Sequence, residues 1–435
     1  MKTIFTYIVS VLISIVPIYA QSGSSLKDFE KKLSDYYDLE LIEDVVQAIG
    51  STDQAKVWSW DIGDFSSDEH NDMACVVRYS KEKNKQCSIF FFVDINGSLI
   101  PTGTITRDFV DSPLEVGVAI RDASCFVTSK EEQFNWNIVG YRYRHGIFFE
   151  SDTFSTSRIG TQTMETFSDH VQRRNNIHVF STRNEETSYY HHFHDIPVFK
   201  KDDIIMPCYA GPCIIDKADD VVKGAFYWKG PSDASIHLLE SLYDDTALRL
   251  KLLIKDDTLS EQHCDSCIQD KVTILLYDRI PGYDPERMEK KQEKNTPGFY
   301  VLDIIPSFEQ PFSSRAIFHE ERTGRKLLLS EESLNLKVRN DGYFIDIVIP
   351  FSFMPEIDLS AVGKDIHSIG CTIVLTDSDN RFRPEEMTQI QSSDYEAGNP
   401  KSLGRLTFHP AGAHIGLIQP FFSKHLTETL LQLGF

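Results

Sequence analysis

Residues 241–278 read SLYDDTALRLKLLIKDDTLSEQHCDSCIQDKVTILLYD, and this stretch narrows the fold more than any other part of the chain. Leu248, Leu250, Leu252 and Ile254 are separated by single residues, with Arg249 and Lys251 among them. That period of two puts one face of a strand in a core and the other in water. Val272, Ile274 and Leu276 repeat the pattern against Lys271 and Thr273. Between the two strands lie Asp256, Asp257, Glu261, Asp265 and Asp270, which read as a solvated loop because charged side chains are costly to bury. Further runs of strand length at 224–230, 299–304, 334–338, 343–350, 371–375 and 403–408 are separated by turn signals. Together they predict a mainly β chain whose larger part is an antiparallel β-sandwich.

The order of motifs over residues 197–410 resembles a family 9 carbohydrate-binding module, within the broader sandwich group that contains the DOMON domains. An aspartate-led turn, Tyr243-Asp244-Asp245, precedes a strand ending in Lys255-Asp256-Asp257, and Asp270-Lys271-Val272 opens the next strand, which closes at Tyr277-Asp278. Asp341-Gly342-Tyr343 leads to Ile349-Pro350-Phe351. The loop Asp377-Ser378-Asp379-Asn380 and the closing Asn399-Pro400-Lys401-Ser402-Leu403-Gly404 follow in the same order as in the family. The resemblance implies an immunoglobulin-like or jelly-roll sandwich. It also implies a sugar site in which aromatic rings cover the apolar face of a pyranose while polar groups read its hydroxyls. The candidate residues for such a site are Trp228, Tyr227, Tyr283, Asp377, Asp379 and Asn380. The family uses two tryptophans and this region has one, so either Tyr283 supplies the second wall or the sugar site is lost. Trp228 reads equally as a core residue.

Residues 1–20 combine Lys2, an apolar run and Ala20 before Gln21, the pattern of a secretory signal peptide; export to the medium, the periplasm or the cell surface is expected. Residues 25–49 read as a helix, with a capping-box pattern at Ser25 and Asp28 and a stop at Gly50. Next, Asp64, Ser66, Asp68 and Asp72 hold positions one, three, five and nine of a loop, a spacing that can fold oxygens around calcium. With Gly63-Asp64-Phe65, the loop resembles one FG-GAP or VCBS-type repeat unit. Ser66 stands where that unit has asparagine, and Glu69 where it has glycine, so the loop reads equally as an acidic turn. Residues 21–160 are expected to form a small, mostly β domain, without the repeated copies a propeller needs.

Residues 161–196 are polar and read as a connector. Within them lies HHFHD, in which alternation lets only His192 and His194 converge; a metal site could be built there, but a connector surface is the favoured reading. Residues 411–435 read as an amphipathic tail. Cys75 with Cys87, or Cys208 with Cys213, could bridge. His263-Cys264-Asp265-Ser266-Cys267 offers either a redox pair, half a zinc site, a local disulfide or free thiols.

The chain has 435 residues with 65 Asp and Glu against 44 Lys and Arg, a formal charge of −21. Such a surface repels phosphate backbones and anionic lipid, leaving neutral sugars or cations as the better partners. No catalytic constellation emerges: GxSxG, HExxH and Walker patterns are missing, and carboxylate spacing alone cannot set a glycosidase pair. The expectation is a secreted, non-catalytic carbohydrate-binding protein, accessory to polysaccharide recognition or breakdown. The alternatives are a cell-surface assembly protein using the sandwich as a scaffold, and a subunit of an enzyme acting on glycosyl bonds.

Overall fold

The computed structural model describes residues 24–50, 55–79, 86–109, 115–132, 135–144, 147–201, 213–260, 269–279, 298–308, 314–357, 365–380, 382–383 and 386–411. The expected signal peptide, Tyr283, Cys208, Cys264, Cys267 and the expected tail beyond 411 lie outside these residues. The described chain divides into two units. One holds residues up to His170 with Val179–Thr187, and the other holds Val171–His178 and residues from Ser188 onward. Among the described residues no helix is long and apolar enough to cross a membrane.

In the first unit, α1 (Leu26–Leu33) and α2 (Leu39–Ile49) replace the single helix expected from the sequence. Ser25 Oγ accepts the Asp28 N–H at 3.2 Å, as the capping pattern implies. The break falls at residues 34–38, where Asp38 takes an extended conformation and starts α2, a role that Asp and Ser favour. β1 (Ser24–Ser25), β2 (Ala55–Gly63), β3 (Asp72–Tyr79), β4 (Gln86–Asp94) and β5 (Leu99–Asp108) form one antiparallel sheet in chain order. Met73, Cys75 and Val77 of β3 meet Phe29, Leu33, Ile42 and Val45 of the helices. Ala74 and Val76 point the other way. There they join Phe65, Ile89 and Phe91 in packing on an antiparallel meander of β6 (Gly117–Arg121), β7 (Ser124–Glu132), β8 (Asn135–Arg144), β9 (Ile147–Ile159) and β10 (Gln162–Asp169). Strand alternation therefore separates Cys75 from Cys87, which sits in the opposite core, and the expected bridge between them does not form. β11 (Arg174–Ser181) has residues in both units.

The second unit is a two-sheet sandwich built from β12 (Thr187–Lys200), β13 (Cys213–Ile215), β14 (Val221–Lys223), β15 (Ala234–Tyr243), β16 (Ala247–Asp256), β17 (Lys271–Tyr277), β18 (Phe299–Ile305), β19 (Arg315–Glu320), β20 (Arg325–Leu328), β21 (Leu334–Arg339), β22 (Gly342–Pro350), β23 (His367–Asp377), β24 (Thr388–Gln391) and β25 (Gly404–Phe408). One sheet runs β13–β15–β16–β22–β21. The other runs β20–β19–β18–β17–β23; beyond β23, β24 takes one half of its free edge and β25 the other, and β14 extends β24. β12 is a corner strand. It runs parallel to β25 at Asp195 to Val198, then parallel to β15 at Phe199 and Lys200. The expected polar connector is thus strand for much of its length.

Leu248, Leu250, Leu252 and Ile254 of β16 are fully buried, as are Val272, Ile274 and Leu276 of β17, so the alternation read from the sequence does mark the core. The two strands nevertheless belong to opposite sheets. The strand expected around Trp228 is instead a pair of turns. Gly224, at φ +70°, starts them with its α-carbon so close to the Met387 carbonyl that a side chain would collide with it.

Candidate metal centre and aromatic turn at one end of the sandwich

Three strand ends converge at one edge of the sandwich. β16 ends at Asp256, Asp270 immediately precedes β17, and β23 ends at Asp377. The β17–β23 register pairs Lys271 with Thr376, which sets Asp270 beside Asp377 across the ladder. The β15–β16 register pairs Ala234 with Asp256, which brings in Asp233. Ligand oxygens of Asp256, Asp270 and Asp377 lie within 4.8 Å of one another, and those of Asp233, Asp377 and Asp379 form a second such group sharing Asp377.

Contrary to the solvated loop expected from the sequence, Asp256 and Asp270 are buried; Asp377 and Asp233 are buried with them. Backbone amides account for part of this: Asp270 accepts from Ser260 N at 2.6 Å and Ser378 N at 3.1 Å, and Asp256 Oδ1 accepts from Thr258 N at 2.9 Å. Asp256 Oδ2, Asp377 Oδ1 and the Tyr343 hydroxyl are buried with no hydrogen-bond partner among the described residues. Burial, reinforced by the neighbouring carboxylates, pushes Asp256 up to about 7 and Asp377 up to about 8, and holds Asp270 well above the usual carboxylate range. Buried oxygens without partners are costly, and like charges this close oppose one another. A cation removes both penalties, and an all-oxygen donor set suits a hard ion such as calcium.

Beside this edge lies the turn that carries the exposed aromatics. Phe226 is 94% exposed and Tyr227 39% exposed, with ring centroids 5.7 Å apart at 89°. Trp228 turns inward: its ring packs against the sandwich core and its indole N–H donates to Ala234 O at 2.9 Å. Lys229 ties the turn to the acidic edge, its Nζ lying 3.1 Å from Asp233 Oδ1 and 2.5 Å from Asp379 Oδ2. Asn380 is held within its own loop, donating to Glu386 Oε2 at 3.4 Å and accepting the Phe382 N–H at 3.2 Å. Phe382, three residues beyond Asp379, is 72% exposed.

Of the residues the sequence marked for sugar contact, the structure thus gathers Tyr227, Asp377 and Asp379 at one end of the sandwich and assigns Asp377 to the acidic cluster. It withdraws much of Trp228. Phe226 and Phe382 were missed; the only signal they offered was an aromatic among turn-forming residues.

The loop marked for calcium in the first unit is organised differently. Asp64 Oδ1 accepts the N–H groups of Ser67 (2.6 Å) and Asp68 (3.2 Å), and its Oδ2 that of Glu69 (2.9 Å). Asp72 Oδ2 accepts from Phe65 and Ser66, both at 2.8 Å, and Oδ1 from Asp94 at 3.1 Å. Asp68 Oδ1 accepts the His70 N–H, and Ser66 Oγ donates to Asp64. Backbone amides therefore bond both oxygens of Asp64 and of Asp72 and one oxygen of Asp68. Ser67 and Glu69 adopt positive φ, 64° and 71°, to make this possible without the glycine. Among the described residues these side chains do not form a converging group of three carboxylates.

Comparison with known proteins gives no matching family model and no matching curated relative. Among solved structures, the chain is similar to a carbohydrate binding module family 9 from Caldicellulosiruptor kristjanssonii in complex with glucose, at 16% identity and a TM-score of 0.24, covering 42% of this chain and 79% of that one. A structure of such a module from the same organism with cellotriose gives 14% identity and a TM-score of 0.26, covering 50% of this chain and 94% of that one.

Proposed function

We propose that the second unit binds carbohydrate at the end of the sandwich where the 224–233 turn meets the acidic edge, and that calcium held by Asp256, Asp270 and Asp377 fixes that edge. The reading makes the chain a secreted, non-catalytic binding protein that acts alongside polysaccharide recognition or breakdown. Its main support is the Phe226–Tyr227 pair: two rings held at right angles, open to solvent, next to carboxylates and an ammonium group. Exposed rings on a turn fixed at both ends suit the apolar face of a sugar, and the charged groups beside them suit its hydroxyls. The calcium would hold the turn's acidic partners in place and would take no part in a reaction.

Affinity electrophoresis and calorimetry of the full chain against soluble and insoluble polysaccharides test this. Binding that weakens tenfold or more in Phe226→Ala and Tyr227→Ala is the expected result; no retention on any polysaccharide would sink the reading. The scaffold alternative is favoured by one observation, the packed and hydrogen-bonded indole of Trp228.

A further inference from the structure

β12 alternates, so His191 and Phe193 stack on one face while His192 and His194 project from the other. His192 Nε2 lies 3.2 Å and His194 Nε2 3.0 Å from the same atom, Asp220 Oδ1. All three residues are buried, and their ligand atoms lie within 4.8 Å of one another. Asp220 closes the short turn Ala218–Asp220, and its Oδ2 accepts the Lys217 N–H at 2.9 Å, which fixes the carboxylate's rotation.

The outer nitrogens of the two rings are also engaged. His192 Nδ1 lies 2.9 Å from Asn176 Oδ1, which the Tyr190 hydroxyl also reaches at 3.1 Å, and His194 Nδ1 lies 3.7 Å from Cys213 Sγ. His191 shows the contrast. Its nitrogens face two separate acceptors, Asp394 Oδ1 and Leu403 O, so no oxygen there is shared between two imidazoles. At Asp220 two imidazoles share one oxygen in a closed interior, with Arg174 Nη2 already 3.9 Å from it.

We propose that His192 Nε2, His194 Nε2 and Asp220 Oδ1 bind a divalent ion of the zinc or cobalt type, which staples β12 to the turn before β14. Ligand atoms at about 2.0–2.2 Å from zinc stand about 3.4 Å apart on a tetrahedron, close to the two nitrogen–oxygen separations found here. With the ion in place both Nε2 atoms give lone pairs, His192 Nδ1–H donates to Asn176 Oδ1, and His194 Nδ1–H donates to the Cys213 sulfur. Those outer bonds orient ligating imidazoles and fix their tautomers. The fourth position is left to water. Nitrogen ligands separate this site from the all-oxygen cluster at Asp377, which prefers a harder ion.

The test uses the full chain, with cobalt(II) alone as the probe and zinc as the competitor. The expected result is one cobalt per chain with visible absorption of an imidazole-ligated ion, displaced by zinc and unchanged in Asp377→Asn. Asp220→Asn should abolish it, and Asn176→Ala should weaken binding about 10- to 100-fold. A wild-type protein without the cobalt spectrum, or an Asp220→Asn variant that keeps it, would overturn the proposal. If circular dichroism shows that Asp220→Asn does not fold, Asn176→Ala decides: unchanged cobalt affinity there overturns it as well.

Discussion

Lys229 Nζ lies 2.5 Å from Asp379 Oδ2, and that contact joins the turn bearing Phe226 and Tyr227 to the loop bearing Phe382. More than half of the lysine side chain is exposed, so solvent screens the pair and its contribution to stability is at most about 1 kcal/mol. Its effect on the turn's position is a separate matter. Lys229→Ala should leave the melting temperature within a few degrees of wild type yet weaken polysaccharide binding, because the rings lose their fixed placement. Equal affinity in the variant, measured by calorimetry, would show that the ion pair does not order the aromatic turn.

The acidic edge predicts a response to calcium. At a calcium concentration about a hundredfold above the dissociation constant, the folded chain should gain about 2.7 kcal/mol over the chelated chain. Asp377→Asn should lose that gain, since Asp377 serves both carboxylate groups. Asp68→Ala should keep it, because the Asp64–Asp72 loop fills its carboxylates with backbone amides. Melting curves with calcium and with EDTA measure all three; a response that follows Asp68 instead of Asp377 would return the ion to the first unit.

Asp72 gives the first unit a pH dependence. Burial pushes its carboxyl up to about 6 against the pull of its backbone donors. Because the folded pKa is raised, the folded chain keeps a proton that the unfolded chain has already released. The associated stability is full below about pH 4 and falls as pH rises to about 6, by about 3 kcal/mol, and is flat beyond. Asp72→Asn removes the titration. Urea unfolding across that window should show wild type losing stability relative to the variant; a constant difference would mean that Asp72 stays ionised throughout.

What the sequence revealed and what it concealed divide along one physical line. The alternation at Leu248–Ile254 and Val272–Leu276 is local, and it located the core correctly. The placing of Asp270 beside Asp377 depends on the pairing of Lys271 with Thr376, a contact between strands about a hundred residues apart, which no local pattern encodes. For the same reason the pairing of His192 with His194 was legible from alternation, while Asp220, which completes the group, was not. Trp228 was named for its ring chemistry, but composition cannot say which aromatic of GAFYWKG turns inward; hydrogen bonding to Ala234 settles that for Trp228 and leaves Phe226 in solvent.

Gly342 links the sandwich core to the acidic edge. It starts β22 at φ +127°, paired with Lys255, and a β-carbon there would collide with the Ile254 carbonyl and crowd the Asp256 amide. That φ is one that residues with side chains rarely adopt, so Gly342→Ala combines backbone strain with a steric conflict that only movement of β16 relieves. The variant should lose roughly 1–3 kcal/mol of stability. Because the displaced residues adjoin Asp256, calcium affinity should fall with it, although position 342 supplies no ligand. Urea unfolding in EDTA isolates the first effect, and calcium titration of the fraction that remains folded isolates the second. A variant that is less stable but binds calcium as wild type does would show that the end of β16 can shift without carrying the Asp256 carboxylate with it.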